Sequence, residues 1–285
     1  MVKAKTPADL SITPRDRRFG RGIAQRRWWL NGDPVATAFF NALSVTFPKG
    51  EGFFIDSVRK FREGTPPRLQ AEIAAFTKQE VMHTREHVAF NRHVTGEGYD
   101  ISSLEADVQA QIDLTKSHPE IASLAATMCL EHFTAILAHE LLADPRYLEG
   151  ADAEAAKLWR WHAIEEIEHK GVAYDTWLHA TRDWSGLRRW LVRAKVMLFT
   201  TWRFLGGRKR GIMELLRQDG LTGPRVGWRV FRYVFGNPGM GRKVLGQYFA
   251  FFLPGFHPWK HDDRALIGKA ESDYADAMLP DTATA

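Results

Sequence analysis

Apolar residues recur at helical spacing through most of the chain, and strand-type alternation is weak everywhere. From Trp28 to about Thr181 four long segments stand out. The first runs from Asp33 to about Glu63. Asp33-Pro34 supplies an N-cap followed by proline at the first helical position, and Pro48 with Gly50 predicts a kink before Glu51. The second runs from about Pro67 to Val94, ahead of Gly96-Glu97-Gly98. The third starts near Pro119 and stops at Asp144-Pro145. The fourth runs from about Asp152 to Thr181, with Leu158, Trp161, Ile164, Ile167 and Val172 on a helical period. A long connection, about Thr95 to His118, separates the second and third segments.

Four regions follow. Residues 1–27 are polar, basic and broken by prolines, and read as an arm rather than core. Residues 28–181 hold the four helices. Residues 182–260 interleave Trp, Phe, Tyr and Leu with Arg and Lys, and WLVRAKVMLFTTWRFL within them has the pattern of a basic amphipathic helix. Residues 261–285 read as a polar tail. The 285 residues can bury a sizeable core, and the balance is basic at +5. A single cysteine, Cys129, excludes an intrachain disulfide and suits a reducing compartment. The N-terminus lacks the apolar stretch of a signal peptide. No run reaches the roughly 18 apolar residues of a spanning helix; the nearest, Val244 to Trp259, is broken by Pro254, Gly255 and Pro258. These features predict a cytoplasmic protein, with contact at the inner membrane surface compatible with the basic aromatic segment.

Each of the four helices carries a carboxylate among apolar neighbours: Glu51 in FPKGEGFF, Glu80 in FTKQEVMH, Glu131 in MCLEHFTA and Glu166 in HAIEEIEH. Buried glutamates are costly unless paired or bound to a cation. Two helices also carry Glu-x-x-His, namely Glu80 with His83 and Glu166 with His169, and residues three apart share a helix face. One Glu from each of two helices and Glu-x-x-His from the other two is the ligand pattern of dinuclear carboxylate bundles. His162, four residues before Glu166, projects from the same face and makes a seventh ligand. His87, four residues after His83, is held in reserve. Glu86, Glu165 and Glu168 read as solvent-facing or as partners behind the ligands. His93, His132 and His139 read as ordinary polar positions, and His257, His261, Asp262 and Asp263 as part of a docked tail rather than a ligand cluster. The expected fold is all-α: a ferritin-like four-helix bundle with a di-metal core and a C-terminal helical extension. The expected cofactors are two iron ions, with manganese or zinc also compatible with the ligand types.

The motifs WWLNGDP, FPKGEGFF, QEVMHTREH and WHAIEEIEHKGVAYD, with the late PGFHPW, resemble the bacterial family of predicted metal-dependent hydrolases over roughly Arg26 to Asp262. By ligand spacing alone the chain also resembles the ferritin-like di-iron enzyme p-aminobenzoate N-oxygenase. That second resemblance implies O2 activation. The expected function is therefore a di-iron oxidoreductase (oxygenase, N-oxygenase or desaturase type) acting on a largely apolar small molecule or lipid with electrons from a partner protein. A dinuclear metal-dependent hydrolase is the alternative, and a non-catalytic storage bundle the second alternative. No catalytic residue beyond the ligands is assigned. The basic aromatic segment suits an anionic membrane surface, a lid over an apolar channel, a homodimer face or plain packing on the bundle. No nucleic-acid motif is present.

Overall fold

The computed structural model describes residues 5–21 and 25–276. Among them there is no strand; Leu30 and Ala151 make one isolated bridge. The fold is all-helical, as the periodicity predicts.

The first expected helix is two. Helix α1 spans Pro34–Ser44 and α2 spans Phe47–Arg59. Asp33 caps α1 by accepting from the Val35 N–H at 2.7 Å. The break falls at Val45 and Thr46, just ahead of Pro48. Proline has no N–H to donate back across the junction, so the chain restarts with Pro48 in the first turn of α2. Helix α3 (Pro67–Gly96) opens on Pro67. The connection to the third bundle helix is not extended chain: it contains α4 (Ser102–Lys116). Helix α5 (Glu120–Ala143) ends at Asp144-Pro145. By length and composition α5 could cross a bilayer, a helix that the sequence reading passed over. Two thirds of its most apolar window is buried in the protein, so it is a core helix here. The fourth expected helix divides into α6 (Ala153–His169) and α7 (Val172–Ala180). At the division, a Cβ on Gly171 would sit 2.6 Å from Thr6 Oγ1 and 3.0 Å from Trp259, so only glycine lets these segments meet there.

Helices α2, α3, α6 and α5 form a closed ring: α2 packs on α3, α3 on α6, α6 on α5 and α5 on α2. This is the bundle that holds the site. Long helix α8 (Gly186–Gln218) crosses α1 and α5. Short helices α9 (Pro224–Phe231), α10 (Met240–Lys243) and α11 (Leu245–Ala250) follow. The described part of the expected tail forms α12 (Arg264–Asp276), packed on α5 and α6; residues 277–285 lie outside the described residues, as do 1–4 and 22–24 of the arm. The described part of the arm lies against the bundle. Phe19 is buried on Trp161, with ring centroids 5.3 Å apart.

Candidate metal centre

Glu51 comes from α2, Glu80 and His83 from α3, Glu131 from α5, and His162, Glu166 and His169 from α6. All seven are buried and converge inside the ring. Three overlapping sets have ligand atoms within 4.8 Å of one another: Glu51, His83 and His162; Glu80, His83 and Glu166; Glu80, Glu131 and His169. The sets share Glu80 and His83, so they make one continuous cluster. The Glu166 carboxylate lies between all three imidazoles. Its Oε1 is 3.0 Å from His162 Nε2 and 3.5 Å from His83 Nδ1, and its Oε2 is 3.6 Å from His169 Nε2. His169 Nε2 is also 3.3 Å from Glu80 and 3.4 Å from Glu131.

Nine buried oxygen and nitrogen atoms of these seven side chains have no hydrogen-bond partner: Glu51 Oε1, both oxygens of Glu80 and of Glu131, Glu166 Oε2, His83 Nδ1, His162 Nε2 and His169 Nε2. Buried polar atoms are ordinarily satisfied. Nine orphans facing one another, all of ligand type, fit a bound cation.

The opposite ring nitrogens are held in place. His83 Nε2–H donates to Glu165 at 3.0 Å. His169 Nδ1–H donates to the Gln79 carbonyl at 3.0 Å, and Gln79 in turn donates to Glu168 at 2.9 Å. His162 Nδ1 lies 2.8 Å from His87 Nε2. A directional chain sets the proton there. The Ser44 hydroxyl donates to Asn91 Oδ1 at 2.7 Å, so it accepts from His87 Nδ1–H at 2.8 Å. His87 Nε2 is then a bare acceptor, and His162 gives it the Nδ1 proton, leaving Nε2 free toward the cluster. Such outer contacts fix tautomer and ring orientation. His87, the reserve ligand, thus serves behind His162. Burial, with the nearby His162 and His83, holds His87 well below the usual histidine range, which keeps it neutral.

Without a cation the cluster is electrostatically strained. Burial, aided by Glu166 and opposed by His83 and Thr84, pushes the Glu51 carboxyl up to about 8. Burial and neighbouring carboxylates drive Glu80 and Glu131 far above their ordinary value. Burial alone would lower His83, but the hydrogen bond to Glu165 and the nearby carboxylates of Glu166 and Glu51 outweigh it and raise the imidazole to about 10. Burial and the charge of His83 lower His162 to about 4.

Glu86, Glu165 and Glu168 are all buried, so their solvent-facing reading does not hold. Arg15, on the arm, reaches both Glu165 and Glu168, at 3.4 and 2.6 Å, and Arg21 pairs with Glu86 at 2.8 Å. His132 Nε2–H donates to the Gln247 carbonyl, 3.2 Å away, and His93 Nε2–H donates to the Gly20 carbonyl. His139 lies 2.8 Å and His261 3.2 Å from Asp263, which also pairs with the Lys170 ammonium. That lysine already supplies a cation to Asp263. His257 pairs with Asp175 at 3.0 Å, while Asp262 pairs with Arg264 at the surface.

One cavity of about 670 Å³ reaches the cluster at His162 and Glu166. Its walls are apolar: Phe40, Phe47, Phe53 and Phe54 from the first two helices, Leu130, Leu137 and Leu141 from α5, and Phe199 and Phe204 from α8. Thr46, Gln111, Thr115, Thr134 and Thr200 are its few neutral polar points.

Residues 13–262 match the family described as predicted metal-dependent hydrolase. The chain belongs to that family. No curated protein and no solved structure matches it. Membership of a metal-dependent hydrolase family overturns the oxygenase reading. The physical reason is that buried Glu and His at these spacings specify a place for metal ions, not the reaction performed there; water activation and O2 activation draw on the same ligand types. In this hydrolase-family chain the spacing found the seven converging residues but missed the layer behind them. Gln79 and Arg15 carried no motif. Of that layer, His87 alone had a readable signal, its place four residues after His83.

Proposed function

We propose that the protein is a dinuclear metal-dependent hydrolase in which Glu51, Glu80, His83, Glu131, His162, Glu166 and His169 hold two divalent ions. The nine facing orphan atoms carry this reading. Two such ions would lower the pKa of a water molecule and polarise the bond to be cleaved. The chain's own residues do the rest. Glu80 and His83, shared between ligand sets, tie the cluster into one unit. His87, Gln79 and Glu165 hold the three imidazoles in the tautomer that leaves a lone pair inward. The apolar walls bind a largely apolar substrate and restrict bulk water, with the scissile group at the Glu166 and His162 end. The reaction adds water across the scissile bond: the water oxygen joins the attacked atom, and the leaving group departs with a proton.

The test is a screen of esters and phosphoesters with protein loaded with zinc or manganese, run without O2 or reductant. Turnover is expected, and Glu166→Ala should reduce it by more than about 100-fold together with loss of stoichiometric metal. Absence of hydrolysis by fully loaded protein across both bond types overturns the reading.

A further inference from the structure

Helix α8 is apolar on two sides. Its inner side packs Met197, Gly211 and Leu215 into the core. On the outer side, at 3.6 residues per turn, Leu187, Leu191, Leu198, Trp202 and Leu205 fall within about 60° of one another. These five are between 41% and 67% exposed. Core packing accounts for the inner stripe only; an unpartnered stripe of this length marks an interaction surface.

Helix α11 extends the patch. It is fixed beside α8 by the Trp190 indole N–H to the Phe252 carbonyl at 2.8 Å, the Thr201 and Tyr248 hydroxyls at 2.9 Å, and Arg193 to the Leu253 carbonyl at 2.8 Å. Phe249 and Leu253 stand out into solvent there, 61% and 58% exposed.

Charge says what covers the patch. From Trp184 to Lys260 there are 15 Lys and Arg against two acidic residues, Glu214 and Asp219. Both acids are already paired, with Arg217 and Arg27. Lys195, Arg203 and Lys209 on α8 enter no ion pair among the described residues. A cationic helix presenting Trp, Phe and Leu matches an anionic lipid surface, where the apolar side chains enter the headgroup boundary and the cations meet the lipid charge.

The cavity opens at the same place. Lys195 and Phe199 of α8, with Leu114 of α4 and the adjoining His118, both line the cavity and reach solvent, so the mouth lies between the end of α4 and the exposed side of α8.

We propose that α8 and α11 dock the protein on an anionic lipid bilayer, and that the cavity mouth takes an aliphatic chain from that bilayer toward Glu166 and His162. The docking stands on the surface alone; the use made of the chain, cleavage of a long-chain ester, rests on the hydrolase reading.

The experiment is flotation of the full chain with vesicles of phosphatidylcholine alone and of phosphatidylcholine mixed with phosphatidylglycerol. Binding to the mixed vesicles is expected, weakening with salt and unchanged by chelation. Leu198→Ser combined with Trp202→Ser should weaken it at least about tenfold, and Lys209→Gln about fivefold. Leu198 and Trp202 do not line the cavity, so the double variant should cleave a soluble short-chain ester as the parent does and lose about tenfold on a long-chain ester in vesicles. Vesicle binding with no cleavage of either ester would keep the docking and remove the hydrolase reading. The proposal is overturned if neither vesicle binds, or if the double variant floats like the parent. It is equally overturned if an RNA oligonucleotide binds the patch in preference to lipid, or if the stripe instead closes a dimer that the double variant dissociates.

Discussion

Removing metal from the centre should cost the fold a large part of its stability, because the ligand cluster has no other partners. The perturbation is exhaustive chelation, checked by metal analysis. Nine buried polar atoms are left facing one another. At about 1 kcal/mol each, the low end for an unsatisfied buried group, the penalty is about 9 kcal/mol. That is comparable with the whole stability of an ordinary domain, roughly 5–15 kcal/mol. At roughly 2 °C per kcal/mol for a chain of this size, Tm should fall by about 15–20 °C, less whatever water entering through the cavity restores. The loss depends on pH with a definite sign. Glu51 titrates at about 8 in the metal-free fold, above its ordinary 4.5. The folded state therefore binds more protons than the unfolded one between those values, and metal-free stability falls as pH rises through that window. His83, raised to about 10 from 6.5, acts in the same direction: its contribution is full below 6.5 and is lost as pH rises toward 10. The gap in Tm between loaded and metal-free protein should widen from pH 6 to pH 8, measured by scanning calorimetry at both values. Refilling with metal should restore Tm and release protons. Equal Tm values for loaded and stripped protein at pH 8 would refute the reasoning.

Three further outcomes are expected. His87→Phe removes the acceptor behind His162 and should weaken metal binding 10- to 100-fold, read by competition with a chromophoric chelator, with helicity retained. Arg15→Ala leaves the Glu165 and Glu168 carboxylates without their counterion and should destabilise the loaded protein by about 3 kcal/mol in urea titration, whereas an exposed pair such as Lys269 with Asp273 should give less than about 1 kcal/mol. Ala126→Trp narrows the cavity and should raise KM for bulky esters at least tenfold while leaving metal content stoichiometric; an unchanged substrate profile would remove the cavity from the binding path.

Helical spacing brought the seven residues to attention because each motif lies within one helix, where three- and four-residue separations translate directly into a shared face. What lies behind them depends on tertiary approach. Arg15 is some 150 residues from Glu165, and nothing near Arg15 in the sequence announces the meeting. Gln79 looks like any polar neighbour of Glu80 until the turn of α3 is seen to set it under His169. The helix breaks had partial signals: Pro48 marks the restart of α2 to within two residues, while Gly171 gave no warning because its role is set by Thr6 and Trp259 arriving from both ends of the chain. The fold class was legible throughout. The reaction was not, since the same side chains at the same spacings serve more than one chemistry.

The route of Arg15 has a consequence for how the protein is made. Its guanidinium binds Glu165 and Glu168 of α6 and also Glu271 of α12, and Arg264 of α12 reaches back to Asp9 at 2.7 Å. Residues near position 15 and near position 270 must therefore meet over α6 before that side of the bundle is shut. During synthesis the seven ligand positions emerge from the ribosome about 100 residues before α12 does. The wall over α6 is therefore completed only by a segment made after every ligand, and the two ends of the chain hold it shut together.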